Sequence, residues 1–200
     1  MPGQRENQAT RQEQILEAAY EVALRRGIDG LTVRAVAARA RLSHSLVLFH
    51  FKRKDQLGLA LLDRVLAGTL SLTLPNEIRT IRKPRERLQA LVSQELQRMS
   101  EEPRRLRLLL EFWTRGGHNA VIRQKIGAGL SEYRTAFQDV LSEMSNGKTS
   151  GRSSSAGLAA VAVSLIIGYP VQAMLDPERL GEGEYLASVQ GVLEHLGLAA

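Results

Sequence analysis

Residues 31–55, LTVRAVAARARLSHSLVLFHFKRKD, decide how the rest of this chain is read. Their pattern predicts two short helices, residues 33 to about 40 and 44 to about 50, joined by the tight turn Ala40-Arg41-Leu42. Thr32 suits the N-cap of the first helix and Ser43 that of the second. A side-chain oxygen at that position accepts one of the backbone N–H groups that a helix start leaves unpaired. Val36 and the alanines at 35, 37, 38 and 40 make the first helix slim enough for close packing. Arg34, Arg39, Arg41, Lys52, Arg53 and Lys54 are basic, and no acid appears before Asp55. Basic charge on a compact helix pair is the electrostatic footprint of a DNA-binding surface. The second helix of a helix-turn-helix enters a major groove about 12 Å wide with its N-terminal residues toward base edges, and a small residue such as Ser45 permits close approach there. A plain helical hairpin in an all-α core is the alternative for the same spacing.

Upstream, Thr10-Arg11-Gln12-Glu13 has the form of a capping box and predicts a first helix starting near Thr10. Ile15, Leu16, Ala19, Val22 and Ala23 form its apolar face, Gly27 stops it, and Asp29-Gly30 turns the chain. Downstream, a fourth helix is expected from near Arg53 to about Leu72, with Leu57, Leu61, Leu62, Val65 and Leu66 as its stripe. Lys52, Arg53 and Lys54 sit at the positive end of that helix dipole, where each cation costs roughly 0.3 kcal/mol or more. An anion placed there, such as a DNA phosphate, reverses the penalty.

The 200 residues are 44% apolar and 24% charged, with six prolines, as in a soluble chain built from helices. A net charge of +6 favours acidic partners, nucleic acid or an anionic membrane. The absence of cysteine excludes disulfides and thiolate chemistry and fits a cytoplasmic protein. Residues 156–175 carry no charge and are long enough to span a bilayer. They contain Ser164, Gly168, Pro170 and Gln172 and lack close basic or aromatic anchors, so a helix buried in a core or a dimer interface is expected instead, with no membrane.

Beyond a break at residues 73–76, Lys83-Pro84 opens a helix to about Ser100, with Leu88, Leu91, Val92, Leu96 and Met99 on one face. Another follows Glu101-Glu102-Pro103, with Leu106, Leu109, Leu110 and Trp113 turned inward, and ends at Gly116-Gly117. A longer one covers 119–144, and the Gly/Ser-rich tract 145–155 reads as a loop. Pro170 predicts a kink in the uncharged helix near Gly168, Asp176-Pro177 ends it, and a last helix runs from Glu184 to about Leu196. The chain is thus expected to be all-α, with about nine helices: a helix-turn-helix domain over 8–68 and a second helical domain over 69–200. The histidines, His44, His50, His118 and His195, fit no metal-ligand spacing, and no glycine loop follows a strand. Ser43-His44-Ser45 reads as a cap and a groove contact. No enzyme, metal or cofactor is expected.

Residues 10–66 resemble the N-terminal DNA-binding domain of the TetR family of transcriptional regulators. The resemblance rests on the long first helix, on Gly27 and Gly30-Leu31-Thr32-Val33-Arg34-Ala35-Val36-Ala37, on Ser43, and on Val47, Phe51-Lys52-Arg53-Lys54-Asp55-Gln56-Leu57. It implies DNA contacts by Thr32, Arg34, His44, Ser45, Leu46, Leu48, Phe49 and His50, a phosphate contact by Lys54, and anchoring of the reading helix by Val47 and Phe51. Three positions depart from the family's pattern: Arg41 stands at a usual glycine, Leu48 at a usual tyrosine and Leu46 at a common threonine. The groove-facing surface is therefore unusually apolar, which suits thymine methyl groups better than added hydrogen bonds. The part after 69 resembles, more softly, the same family's regulatory domain, at Leu110-Glu111-Phe112-Trp113 and over 168–178. That implies a homodimer joined by the last two helices and a small-molecule effector. Apolar candidates for the effector pocket are Met99, Leu109, Phe112, Trp113, Tyr133, Phe137, Tyr169 and Met174, with Glu111, His118 and Gln172 as polar groups. The function so implied is a repressor that binds palindromic double-stranded DNA as a dimer and is released by its effector. The alternative is an architectural or effector-independent DNA binder.

Overall fold

The computed structural model describes residues 2–71, 75–144, 154–176, 178 and 181–193. They form ten α-helices, nine of them at least seven residues long: α1 (Pro2–Arg26), α2 (Val33–Ala40), α3 (His44–His50), α4 (Lys54–Thr69), α5 (Asn76–Arg79), α6 (Pro84–Glu101), α7 (Pro103–Gly116), α8 (Ala120–Met144), α9 (Ser155–Leu175) and α10 (Glu182–Leu193). The all-α expectation holds, with a helix-turn-helix near the N-terminus and helices after it.

Two compact units emerge. The first joins Met1–Thr69 with Arg107–Gly127, and the second joins Leu70–Leu106 with Ala128–Ala200. The first unit therefore takes in a segment that a single cut at residue 69 leaves out. In it α1 packs against α2 and α4, and α2 against α3. Ile15, Ala19, Val36, Val47, Leu57 and Leu61 are buried together with Leu108, Leu109 and Phe112. The charged side of α1 carries cross-helix bonds as well as solvent. Gln14 Nε2 donates to the Ala40 carbonyl at 3.0 Å, meeting one of the acceptors that the end of α2 leaves unpaired. Arg64 pairs with Glu13 at 2.5 Å and with Glu17, and its guanidinium lies 5.2 Å from the centre of the Tyr20 ring. Arg39 pairs with Glu21.

In the second unit α6 packs against α5 and α9. Leu91, Leu96, Phe137, Ala159 and Ile166 are buried, and so is one carboxylate, Glu95. Tyr133 donates its hydroxyl to Glu95 Oε2 at 2.5 Å. Arg98 donates to the same oxygen at 2.5 Å and to Oε1 at 3.2 Å. Burial above all, and then the charge of Glu95, holds the Tyr133 hydroxyl protonated well above the ordinary tyrosine range. For Arg98 burial favours the neutral form, but the hydrogen bonds and charge of Glu95 outweigh it and raise its pKa. Between α9 and α10, Tyr169 and Tyr185 stack with centroids 4.7 Å apart, and the Tyr185 hydroxyl donates to the Leu165 carbonyl at 2.7 Å.

Several expected boundaries need correction. The first helix starts at Pro2, so Thr10 lies inside it and is not its N-cap. Proline at a first helical position has no N–H to satisfy, and Gln4, Arg5, Glu6, Gln8 and Ala9 are strong helix formers, so nothing stops the helix before Thr10. The fourth helix ends at Thr69, three residues before Leu72, and α5 occupies part of the expected break. The last helix starts at Glu182. The expected end of the uncharged helix holds, since α9 contains Pro170 and stops at Leu175 with Asp176 as its C-cap. Trp113 is 39% exposed, whereas Leu108 is buried. A stripe carried from Leu106 to Trp113 assumed a single buried face, but the division between units falls between Leu106 and Arg107. Most of the Gly/Ser tract, together with Pro177 and Leu196, lies outside the described residues.

Candidate nucleic-acid interface

The reading pair is assembled by local hydrogen bonds. Thr32 has an extended backbone, and its side chain accepts from Ala35 N at 3.1 Å to open α2. Ser43 does the same for α3, accepting from Leu46 N at 3.1 Å. Between them Arg41 adopts φ 55° and ψ 42°. This left-handed position costs a non-glycine residue roughly 1 kcal/mol. It is held by two bonds, Leu42 N to the Ala37 carbonyl at 3.0 Å and Arg41 N to the Ala38 carbonyl at 3.3 Å. Together they form a Schellman cap, in which a helix pairs its last carbonyls with the two residues beyond its end.

In α3 only Val47 is buried, and it anchors the helix; Phe51, expected to share that role, is half-buried. His44, Ser45 and Phe49 are exposed, and Leu46, Leu48 and His50 are half-buried. Phe49 is 68% exposed, and its ring meets His50 edge-on with centroids 5.2 Å apart. Thr32, Arg34, Ser43 and Lys54 are exposed as well. The nine residues singled out as DNA contacts, and the cap Ser43 beside them, thus reach solvent in whole or in part. The expected cationic end of α4 is present: the Arg53 carbonyl accepts from Gln56 N and Leu57 N, and Lys52, Arg53 and Lys54 are exposed. Arg53 faces Asp55 at 3.4 Å. Arg39 is engaged by Glu21, and Arg53 by Asp55; Arg34, Arg41, Lys52 and Lys54 are further exposed cations of this region.

The eight apolar pocket candidates are divided between the two units. Leu109, Phe112 and Trp113 belong to the first unit, and Met99, Tyr133, Phe137, Tyr169 and Met174 to the second. Glu111 accepts from Ile28 N at 2.7 Å within the first unit. His118 is exposed, and Gln172 is exposed and donates to the Gly168 carbonyl at 3.3 Å. Sequence reasoning missed Glu95 and Arg98. The signal was available, because Glu95 is four residues from both Leu91 and Met99 and so sits on the apolar stripe of α6. Among the described residues no group of three or more His, Cys, Asp or Glu could hold a metal ion.

A family model described as bacterial regulatory proteins, tetR family, matches residues 15–61. A second, described as BetI-type transcriptional repressor, C-terminal, matches residues 84–197. Among curated relatives, an HTH-type transcriptional regulator in the dhlA 5' region of Xanthobacter autotrophicus is 32% identical, covering 98% of this chain and 95% of its own. The HTH-type transcriptional regulator BetI of Burkholderia ambifaria is 27% identical over 57% of this chain and 59% of its own. Among solved structures, a Saccharomonospora viridis protein in complex with choline has a TM-score of 0.76 at 21% identity, covering 94% of this chain and 97% of that one. The regulator FadR of Bacillus subtilis in complex with stearoyl-CoA has a TM-score of 0.69 at 20% identity, covering 92% and 96%.

Proposed function

The chain belongs to the TetR family of bacterial regulatory proteins, with a BetI-type C-terminal part, and from that premise we propose that it is a cytoplasmic, dimeric repressor released from a palindromic operator by a small molecule. The observation that carries the DNA-contacting part is α3, whose side chains all reach solvent except Val47, beside the cationic start of α4. Apolar Leu46, Leu48 and Phe49 read base edges, and Lys54 holds a phosphate.

Dimerisation is supported by α9. Its mean hydropathy is 1.9 over an 18-residue window, yet only 33% of that window is buried within the chain. Val161 and Leu175 on α9 and Val192 on α10 are exposed apolar residues. A second copy would cover them, and two half-sites one or more helical turns apart need two reading helices. The competing reading of α9, a membrane span, fails if the protein is recovered dimeric without detergent.

The proposed effector site narrows to the second unit, with Met99, Tyr133, Phe137, Tyr169 and Met174 as candidate lining. An effector acts by binding one inter-subunit geometry more tightly than the other, and one with equal affinity for both shifts nothing. The complexes of the two fold relatives suggest two effector chemistries, a quaternary ammonium and a long-chain acyl-CoA. The deciding experiment selects binding sites for the protein from random duplex DNA, then adds choline or stearoyl-CoA to the selected complex. A selected palindrome released by either compound supports the repressor reading. Binding without sequence preference supports an architectural protein instead, and binding that neither compound alters removes both effector classes.

Lys54→Ala is expected to weaken binding to selected and random duplexes alike and to lower the slope of log affinity against log salt by about one. Titration at four or five salt concentrations measures this, and an unchanged slope removes Lys54 from the phosphate contacts.

A further inference from the structure

The C-terminal ends of α1 and α2 are finished differently. At the end of α2 the amide of Leu42 returns to a carbonyl of its own helix. At the end of α1, Gly27 takes the corresponding left-handed position, φ +68°, and its amide bonds the Ala23 carbonyl at 2.8 Å. The next amide, Ile28 N, donates to Glu111 Oε2 on α7 at 2.7 Å, 83 residues away. The carboxylate lies against the glycine itself: a Cβ on Gly27 would be 2.8 Å from Oε2 and 3.0 Å from Oε1. A carboxylate beside the negative end of a helix is disfavoured by the helix dipole. Its position is therefore accounted for by the Ile28 N–H, which no carbonyl of α1 takes up, with Arg107 3.8 Å from its other oxygen. One turn further along α7, Arg115 pairs with Asp29 of the same turn. A carboxylate that accepts from the backbone and a guanidinium that holds the next acid grip residues 28 and 29 at two points. Leu31, Thr32 and the start of α2 follow directly.

We propose that Glu111 is a positioning residue for DNA recognition: through Ile28 N it sets the entry of the chain into α2, and hence the placement of α2 and α3. This rests on the DNA-binding reading above and adds to it a residue that does not touch DNA. A positioning role affects sequence-specific contacts, which need the reading helix in register, more than phosphate contacts, which tolerate displacement.

The experiment uses the full chain, the duplex it selects from a random pool, and a random duplex of equal length. Glu111→Ala is expected to lower the ratio of specific to random affinity about tenfold, as for loss of one hydrogen bond to a charged group. The salt slope should stay unchanged, because no phosphate contact is removed. Glu111→Gln keeps an acceptor oxygen and should recover most of the ratio. Arg115→Ala alters an exposed pair and carries little folding risk, so it keeps the test open if E111A does not fold; it should lower the same ratio about threefold. Equal losses on both duplexes in E111A, or an unchanged ratio in R115A together with E111Q below wild type, would overturn the proposal. If the wild-type protein selects no duplex, the DNA-binding reading fails and takes this one with it. If it selects one that folded E111A binds equally well, only this inference fails.

Discussion

Arg98→Ala is expected to lower the stability of the protein by about 3 kcal/mol at neutral pH, because it leaves a buried carboxylate without its counter-charge. Glu95 is fully buried, and its two oxygens share the Tyr133 hydroxyl and two donors of Arg98. Truncating one partner of a buried ion pair costs about 3–5 kcal/mol. The lower end applies here because the Arg98 side chain is 27% exposed and water can enter behind the truncation. For a chain of this length the midpoint of thermal unfolding should fall by about 6–12 °C. Replacing Glu95 and Arg98 together by leucine should cost much less than R98A alone, because a well-packed apolar pair needs no counter-charge. Thermal melts of the three proteins make the comparison, and a double variant as unstable as R98A would refute the electrostatic account. Tyr133 adds a pH dependence of known sign. Its folded pKa is raised, so its contribution is fully present below about pH 10, the unfolded tyrosine value, and is lost as pH rises beyond it. Tyr185, raised by burial, acts in the same direction. Tyr133→Phe should therefore flatten the decline of stability above that pH.

Gly27→Ala is expected to cost about 2–4 kcal/mol, from two separate causes. Holding alanine at φ +68° costs about 1 kcal/mol. Its Cβ would also displace the Glu111 carboxylate, and an Ile28 N–H left without a partner adds about 1–3 kcal/mol. Urea unfolding of G27A, E111A and the double variant separates the two. With the carboxylate already gone, the methyl group has room, so the second substitution should add only the backbone cost and the pair should be less than additive. Strict additivity would show that the close approach at 2.8 Å carries no energy.

The contrast between Thr32 and Glu111 shows where reading from residues alone stops. Thr32 and Ser43 cap helices whose relevant amides are three residues away. Arg41 was singled out because the resembled family has glycine at this place in the turn, and it is left-handed. Such bonds close within four or five residues, so residue type and spacing determine them whatever the rest of the chain does. The same holds for the stripes of α4 and α6, whose periodicity placed Leu57, Leu61, Leu88 and Leu91 inside. Glu111 was read as a polar group of an effector pocket, and the structure shows its carboxylate accepting from Ile28 N in the turn after α1. Nothing near Glu111 in sequence distinguishes the two roles.

By itself, then, the sequence determined the ten-helix character within one short helix, the cap-by-cap form of the reading pair, and the exposed apolar and basic residues it presents. Tertiary structure alone decided that Glu111 and Arg115 hold residues 28 and 29, that Tyr133 and Arg98 enclose Glu95, and that residues 107–127 group with the N-terminal unit. It also divided the pocket candidates between two units and left Trp113 partly in solvent. The physical reason is common to all of these. Helix formation and capping are satisfied by neighbours along the chain, whereas the partner of a buried polar group is whichever residue the packing of distant helices delivers to it.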